Sequence, residues 1–165
     1  MTENRIKSCS FTGHRTIKHA HEPKIRDLLC RAVEYVYSLG ARTFYTGGAV
    51  GFDTLAAKEI IRFRMSHPDV RLVLLLPCTN QDEKWTDAQR SVYEFTLASA
   101  DEVVYLAEEY TKDCMRRRNE ALVREGDVLI AYVGTSRSGA AQTARMGEKA
   151  GKKVYNLYPS LENNT

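Results

Sequence analysis

The sequence predicts an α/β fold: a three-layer αβα sandwich around a mostly parallel sheet of about six strands. Three observations carry this prediction. Short apolar runs alternate from end to end with segments whose apolar residues repeat every 3.6 positions. The runs are separated by helical stretches of roughly ten residues or more, as right-handed crossovers between parallel strands require. Glycines stand after several of the strands, on the side of the sheet where such folds bind their ligands.

Taken in order, Ile6 to Thr12 reads as the first strand and is closed by Gly13. Glu22 to Leu39 reads as a helix, with Pro23 in its first turn and Gly40 just past its end. Its apolar set Ile25, Leu28, Leu29, Ala32, Val33, Val36 and Leu39 keeps helical spacing. Thr43 to Thr46 is a short second strand ending at Gly47-Gly48, and Phe52 to Met65 is a helix stopped by Ser66-His67-Pro68. Val70 to Leu76 is apolar on both faces, which marks a strand buried between helices. Asp87 to Ala100 is helical, and Glu102 to Leu106 is the fourth strand. Asp113 to Glu125 is helical, with Thr111 or Asp113 as its N-cap. Asp127 to Val133 is the fifth strand, Ala140 to Ala150 a helix, and Lys153 to Tyr158 the sixth strand. One domain is expected over residues 1–165, with a core over about 6–158 and a flexible tail over 159–165.

Bulk composition narrows the class. The 165 residues suit a single core, and 43% hydrophobic with 27% charged residues excludes a disordered or fibrous chain. The longest apolar run, Val70 to Pro77, contains Arg71 and is too short to cross a bilayer. The opening residues Met-Thr-Glu-Asn-Arg lack the apolar stretch of a signal peptide. A cytoplasmic location and no membrane partner are therefore expected. Cys9, Cys30, Cys78 and Cys114 are widely spaced, with no C-x-x-C pair, which argues against a disulfide framework. The net charge of +3 is too small to mark a polyanion partner, so nucleic acid is not expected.

Three post-strand segments carry the chemistry. They are Phe11-Thr12-Gly13-His14-Arg15, Thr46-Gly47-Gly48-Ala49-Val50-Gly51-Phe52-Asp53, and Gly134-Thr135-Ser136-Arg137-Ser138-Gly139-Ala140. The second and third open directly into helices. Glycine there lets a ligand approach backbone N–H groups, and the first helical turn favours an anion. No G-x-x-x-x-G-K-[ST] is present, and no G-x-G-x-x-G follows the first strand. No acidic residue closes the second strand to hold a ribose, so a standard NAD site and a resident cofactor are not expected. His19-Ala20-His21 lacks a third ligand at metal-binding spacing, so no metal is expected either.

The helix from Asp113 to Glu125 holds an anomaly. Its apolar stripe runs from Met115 to Leu122, yet Arg118 and Asn119 fall on it. Burying a guanidinium is costly unless it is paired. Either an acid waits inside, or the stripe faces a cleft where Arg118 meets a ligand anion. The cleft is the better reading, because bidentate recognition of phosphate suits arginine. The expected ligand contacts are Thr12, Gly13, His14 and Arg15 from the first turn, and Thr46, Gly47, Gly48, Gly51 and Asp53 from the second. Trp85 is included as a stacking residue, with Arg118 and Asn119 from the helix and Gly134, Ser138 and Gly139 from the last turn. Arg118, Asp53 and His14 are the candidate catalytic groups.

These residues together resemble the SLOG superfamily of Rossmann-like proteins (Smf/DprA and LOG types), and within it the YpsA/YoqJ-like branch. The matching residues are Phe11-Thr12-Gly13-His14-Arg15, then Gly47-Gly48-Ala49-x-Gly51-x-Asp53 with Ala56-Ala57 behind. Leu76-Pro77, Gln81-x-x-x-Trp85, Arg90, Tyr110, Cys114 and Arg118-Asn119 follow, then Leu129-Ile130-Ala131 and Tyr132-x-Gly134. The likeness runs from about Lys7 to Tyr158. It implies a Rossmann-like sheet that binds a nucleotide or nucleotide-derived phosphorylated ligand, as a sensor or regulator. The alternatives it implies are a LOG-like nucleoside-monophosphate phosphoribohydrolase and a DprA-like binder of single-stranded DNA. A homodimer is an expectation from the resemblance alone. The branch's usual proline is Thr16 here, and its Gly-Gly-Thr is Ser138-Gly139-Ala140. Arg118 matches the phosphoribohydrolases' catalytic arginine, but Thr143 stands where their glutamate would be, and a threonine cannot do a carboxylate's work.

Overall fold

Six strands lie side by side in the order β4-β3-β2-β1-β5-β6, every pair parallel, in a computed structural model that describes residues 5–163. The sheet is thus wholly rather than mostly parallel, and the fold is α/β and Rossmann-like. The strands are β1 (Ser8–Gly13), β2 (Thr43–Thr46), β3 (Arg71–Leu76), β4 (Glu102–Tyr105), β5 (Val128–Tyr132) and β6 (Val154–Asn156). The helices are α1 (Glu22–Ser38), α2 (Phe52–Ser66), α3 (Asp87–Ser99), α4 (Cys114–Glu125), α5 (Gly139–Lys149) and α6 (Tyr158–Glu162). Chain order runs outward from β1 through β2 and β3 to β4, then returns to β1's other side at β5. Strand order therefore reverses beside β1, where open α/β sheets hold their ligands.

The two faces of β1 do different work. Cys9 and Phe11 enter the larger core under α1 and α2, where Phe11 stacks on Phe44 with ring centroids 6.1 Å apart. Ser8 and Ser10 face α4 instead. Their hydroxyls donate to two backbone carbonyls in the last turn of that helix, Glu125 (2.7 Å) and Leu122 (2.6 Å), the latter also accepting the Gly126 N–H. Two small polar residues thereby draw α4 against the centre of the sheet. Leu122, Ala121, Val73 and Leu75 close the smaller core beneath it. Arg118, one turn before Leu122, comes to rest near the carboxyl end of β1.

Expected element boundaries hold to within two residues at every strand and at α1 to α5, but at the chain's end the expectation fails. Residues 159–162 are not a frayed tail: α6 forms over Tyr158–Glu162, with Pro159 in its first turn and Leu161 buried. Glu162 accepts from Lys18 Nζ at 3.0 Å and pairs with His21 Nε2 at 2.8 Å, while His21 Nδ1 lies 2.7 Å from the Tyr132 hydroxyl. Both ring nitrogens of His21 are therefore occupied by structure. The rest of the expected tail, residues 164–165, lies outside the described residues. A 3₁₀ turn at His19–His21, unanticipated from the sequence, supplies that histidine. Asp113 occupies the N-cap of α4 without a side-chain capping bond; it accepts from Thr111 Oγ1 at 2.9 Å instead.

Candidate functional site

The end of β1 and the turn after it, the start of α2, the middle of α4 and the start of α5 enclose a cleft of about 340 Å³. That volume falls within the roughly 300–1,000 Å³ of small-molecule sites. Thr12, Gly13, His14, Arg15, Asp53, Arg118, Asn119, Ser138 and Gly139, all expected from the sequence, line it. Ala49, Met115, Leu122 and Ala140 line it too and were not expected as contacts. For Met115 and Leu122 the signal existed: they sit three residues before and four after Arg118, hence on its helix face.

Arg118 is the centre of the site. It is only 7% exposed, and its guanidinium has no ion pair among the described residues. Nη1 donates to the Gly47 carbonyl at 2.6 Å, Nε to Asn119 Oδ1 at 2.9 Å, and Nη2 lies 3.7 Å from Met115 Sδ. Burial pulls the guanidinium's pKa down, with Asp53 opposing that pull from a distance. Asp53 is buried as well. Its Oδ2 accepts from the Ala49 N–H at 3.3 Å, while Oδ1 has no hydrogen-bond partner. Burial pushes its carboxyl up to about 6, against the opposing influences of Arg118, the Ala49 N–H and Arg15. A buried cation and a buried acid thus line one cleft without closing on each other.

His14 has a defined tautomer. Its Nε2 accepts from the Gly134 N–H at 2.8 Å, so a neutral ring carries its proton on Nδ1. Burial lowers its pKa and favours that neutral form. At the start of α5, Ser138 Oγ accepts from the Ala141 N–H at 3.0 Å, which leaves the first N–H groups, at Gly139 and Ala140, beside the cleft.

Several expected contacts do not line the cleft, each for a packing reason. Thr46 is buried and its hydroxyl donates to the Asp53 carbonyl at 3.2 Å, so it holds the start of α2 in place. Gly48 lies against Leu76, and Gly51, with φ of 86°, lies against the backbone of Arg15. The Phe52 N–H is taken by the His14 carbonyl at 3.1 Å. The start of α2 therefore offers Asp53 to the cleft rather than an open glycine cradle. Gly134 lies under the Tyr158 ring. Trp85 packs edge-on to Tyr93, centroids 5.0 Å apart, and stacks on nothing in the cleft. Thr143, fully buried, donates its hydroxyl to the Gly139 carbonyl at 2.8 Å, inside its own helix.

Gly47 has a supporting role. A Cβ there would overlap Arg118 Nη1. Gly47→Ala is therefore expected to cost about 1 kcal/mol of stability, but to displace the guanidinium and weaken anion binding at least tenfold. Isothermal titration with inorganic phosphate or a nucleotide checks it; undiminished affinity would show that the guanidinium's position does not matter.

A larger hollow of about 660 Å³ lies on the outside of α5, among Gln142, Arg145, Met146, Glu148 and Lys149. One helix alone lines it and no buried polar group converges there, so it is a poor candidate. Among the described residues no group of three or more His, Cys, Asp or Glu side chains could hold a metal. No helix among them is long and apolar enough to cross a membrane.

The model of the YspA SLOG family matches residues 11–159. The chain belongs to that family. A prophage-derived YoqJ protein of Bacillus subtilis is 25% identical over 153 residues, covering 84% of this chain and 90% of its own. A UPF0398 protein of Halalkalibacterium halodurans is 29% identical over 137 residues, covering 82% and 68%. The fold also matches DNA processing protein A of Helicobacter pylori, which has a single-stranded DNA binding mode. The TM-score is 0.63 at 19% identity, over 90% of this chain but only 63% of that one. YspA SLOG membership and this likeness agree on the Rossmann-like architecture.

Proposed function

We propose that the cleft binds a nucleotide or nucleotide-derived phosphorylated ligand, and that the protein serves as its sensor or regulator, in the cytoplasm. The observation that carries this reading is Arg118, a buried guanidinium opening on a cleft without a carboxylate in contact. Such a charge costs several kcal/mol unless a counter-charge arrives. A phosphate supplies one, and the first N–H groups of α5 stand opposite to receive its remaining oxygens. The unpartnered Oδ1 of Asp53 suits a hydroxyl donor such as a ribose.

Thermal unfolding with a panel of phosphorylated nucleosides tests the proposal. A ligand at a hundred times its Kd is expected to stabilise the protein by about 2.7 kcal/mol, a rise of several degrees in Tm. No rise with any member of the panel at millimolar concentration would end this reading. Single-stranded oligonucleotides belong in the same panel, because of the likeness to DNA processing protein A. Affinity falling steeply with salt would identify a strand backbone as the ligand instead.

A second reading is favoured by one observation, the buried Asp53 carboxyl held near 6 at the edge of the cleft. A carboxyl displaced in that direction is suited to exchange protons near neutrality. A phosphoribohydrolase with Asp53 in place of the glutamate missing at Thr143 would release ribose 5-phosphate from nucleoside monophosphates. Binding without any release of base would exclude it.

A further inference from the structure

The concave surface continues past the cleft. On the other side of the turn at residues 13–15 lies a second hollow of about 390 Å³. Its walls are apolar, from Ile17, Val50, Leu55 and Val92, with Lys58 and Gln89 at hand for polar contacts. Arg15 lines both hollows. Its side chain is exposed and has no ion pair among the described residues, yet its charge is felt by both Asp53 and Arg118. The turn that carries it is pinned. The His14 carbonyl accepts from the Phe52 N–H, and the Arg15 backbone rests against Gly51, where any Cβ would overlap its carbonyl. Arg15 thus stands on a pinned stretch of main chain, with its free cationic side chain between a polar cleft and an apolar one.

We infer that the ligand has two nucleoside-like halves joined through a diphosphate. The bridge lies between Arg118 and Arg15, and the second half extends over Ile17, Leu55 and Val92. This rests on the nucleotide reading above and narrows it. Two arginines on either side of one bridge match two phosphates better than one, since each planar fork engages a separate phosphate. An apolar wall with a few polar groups at its margin is what a flat heterocycle requires. A mononucleotide would fill the first cleft and leave the second wet.

Calorimetric titration with AMP, ADP and diadenosine diphosphate tests the inference. The two-part compound is expected to bind at least tenfold more tightly than AMP. Val92→Trp, which fills the second hollow, is expected to remove that advantage while leaving AMP affinity unchanged. Should Val92→Trp fold poorly, Lys58→Glu at an exposed position is expected to reduce the same advantage several-fold. AMP binding with no gain from the second half, or a gain that survives both substitutions, overturns the inference and leaves the nucleotide reading standing. Failure of all three compounds to bind overturns both.

Discussion

Asp53→Asn is expected to make the free protein more stable at pH 7 by about 2–3 kcal/mol, while weakening its hold on ligand roughly tenfold through the lost charged acceptor. The sign follows from burial. In the folded protein the carboxyl is pushed from its ordinary 3.8 up to about 6, so the folded state holds this proton more tightly than the unfolded chain does. Below pH 4 both states are protonated and nothing is lost. As pH rises from about 4 to about 6 the unfolded chain ionises freely while the folded one resists, and stability falls. Above about 6 the loss is complete. Asparagine has no proton to give up, so the variant escapes that fall. Urea unfolding of both proteins at pH 4, 5, 6 and 7 reads the difference directly. Parallel stability profiles would mean that the carboxyl is not held where the geometry puts it. More stable yet worse at binding is the trade expected of a residue kept for its ligand.

Arg118→Ala is expected to lose about 3 kcal/mol of phosphate binding, roughly a hundredfold in Kd, because about two charge-assisted hydrogen bonds disappear together. Arg118→Lys keeps the charge but not the planar fork, and should recover only part of the loss. The substitution also reaches Asp53. Arg118 is the largest of the influences holding that carboxyl down, so removing it leaves burial less opposed. The pH range over which stability falls is then expected to move upward in Arg118→Ala relative to the parent. A double variant, Arg118→Ala with Asp53→Asn, should lose this upward movement, a coupling that a double-mutant cycle measures. Independent effects on pH dependence would show that the two side chains do not share one environment.

The fold was legible because its signals are local. Apolar periodicity, Pro23 at the start of α1 and Gly40 beyond its end depend only on near neighbours. Arg118 was legible for a related reason: a charged residue on an apolar helical stripe conflicts with its surroundings, and the conflict is visible in sequence. The glycines of the second turn were harder. A glycine admits a ligand and admits a packed side chain equally well, and only the positions of Leu76 and Arg15 decide between them. Trp85 was misplaced because a loop aromatic carries no sign of what it packs against; Tyr93 supplies that partner. α6 was missed because its helix is one turn long and depends on distant partners, His21 and Lys18, which no window around residue 160 contains. Thr143 and Ser138 were read as departures in chemistry, whereas both now have structural duties as internal tie and helix cap.

The order of the strands has a consequence for how copies of this molecule meet. The sheet ends at one margin in three residues of β6 and at the other in four of β4. Unpaired main chain at a sheet margin is a template on which another polypeptide can add itself, and short margins offer little of it. A crowded solution of this protein should therefore resist fibril growth by strand addition.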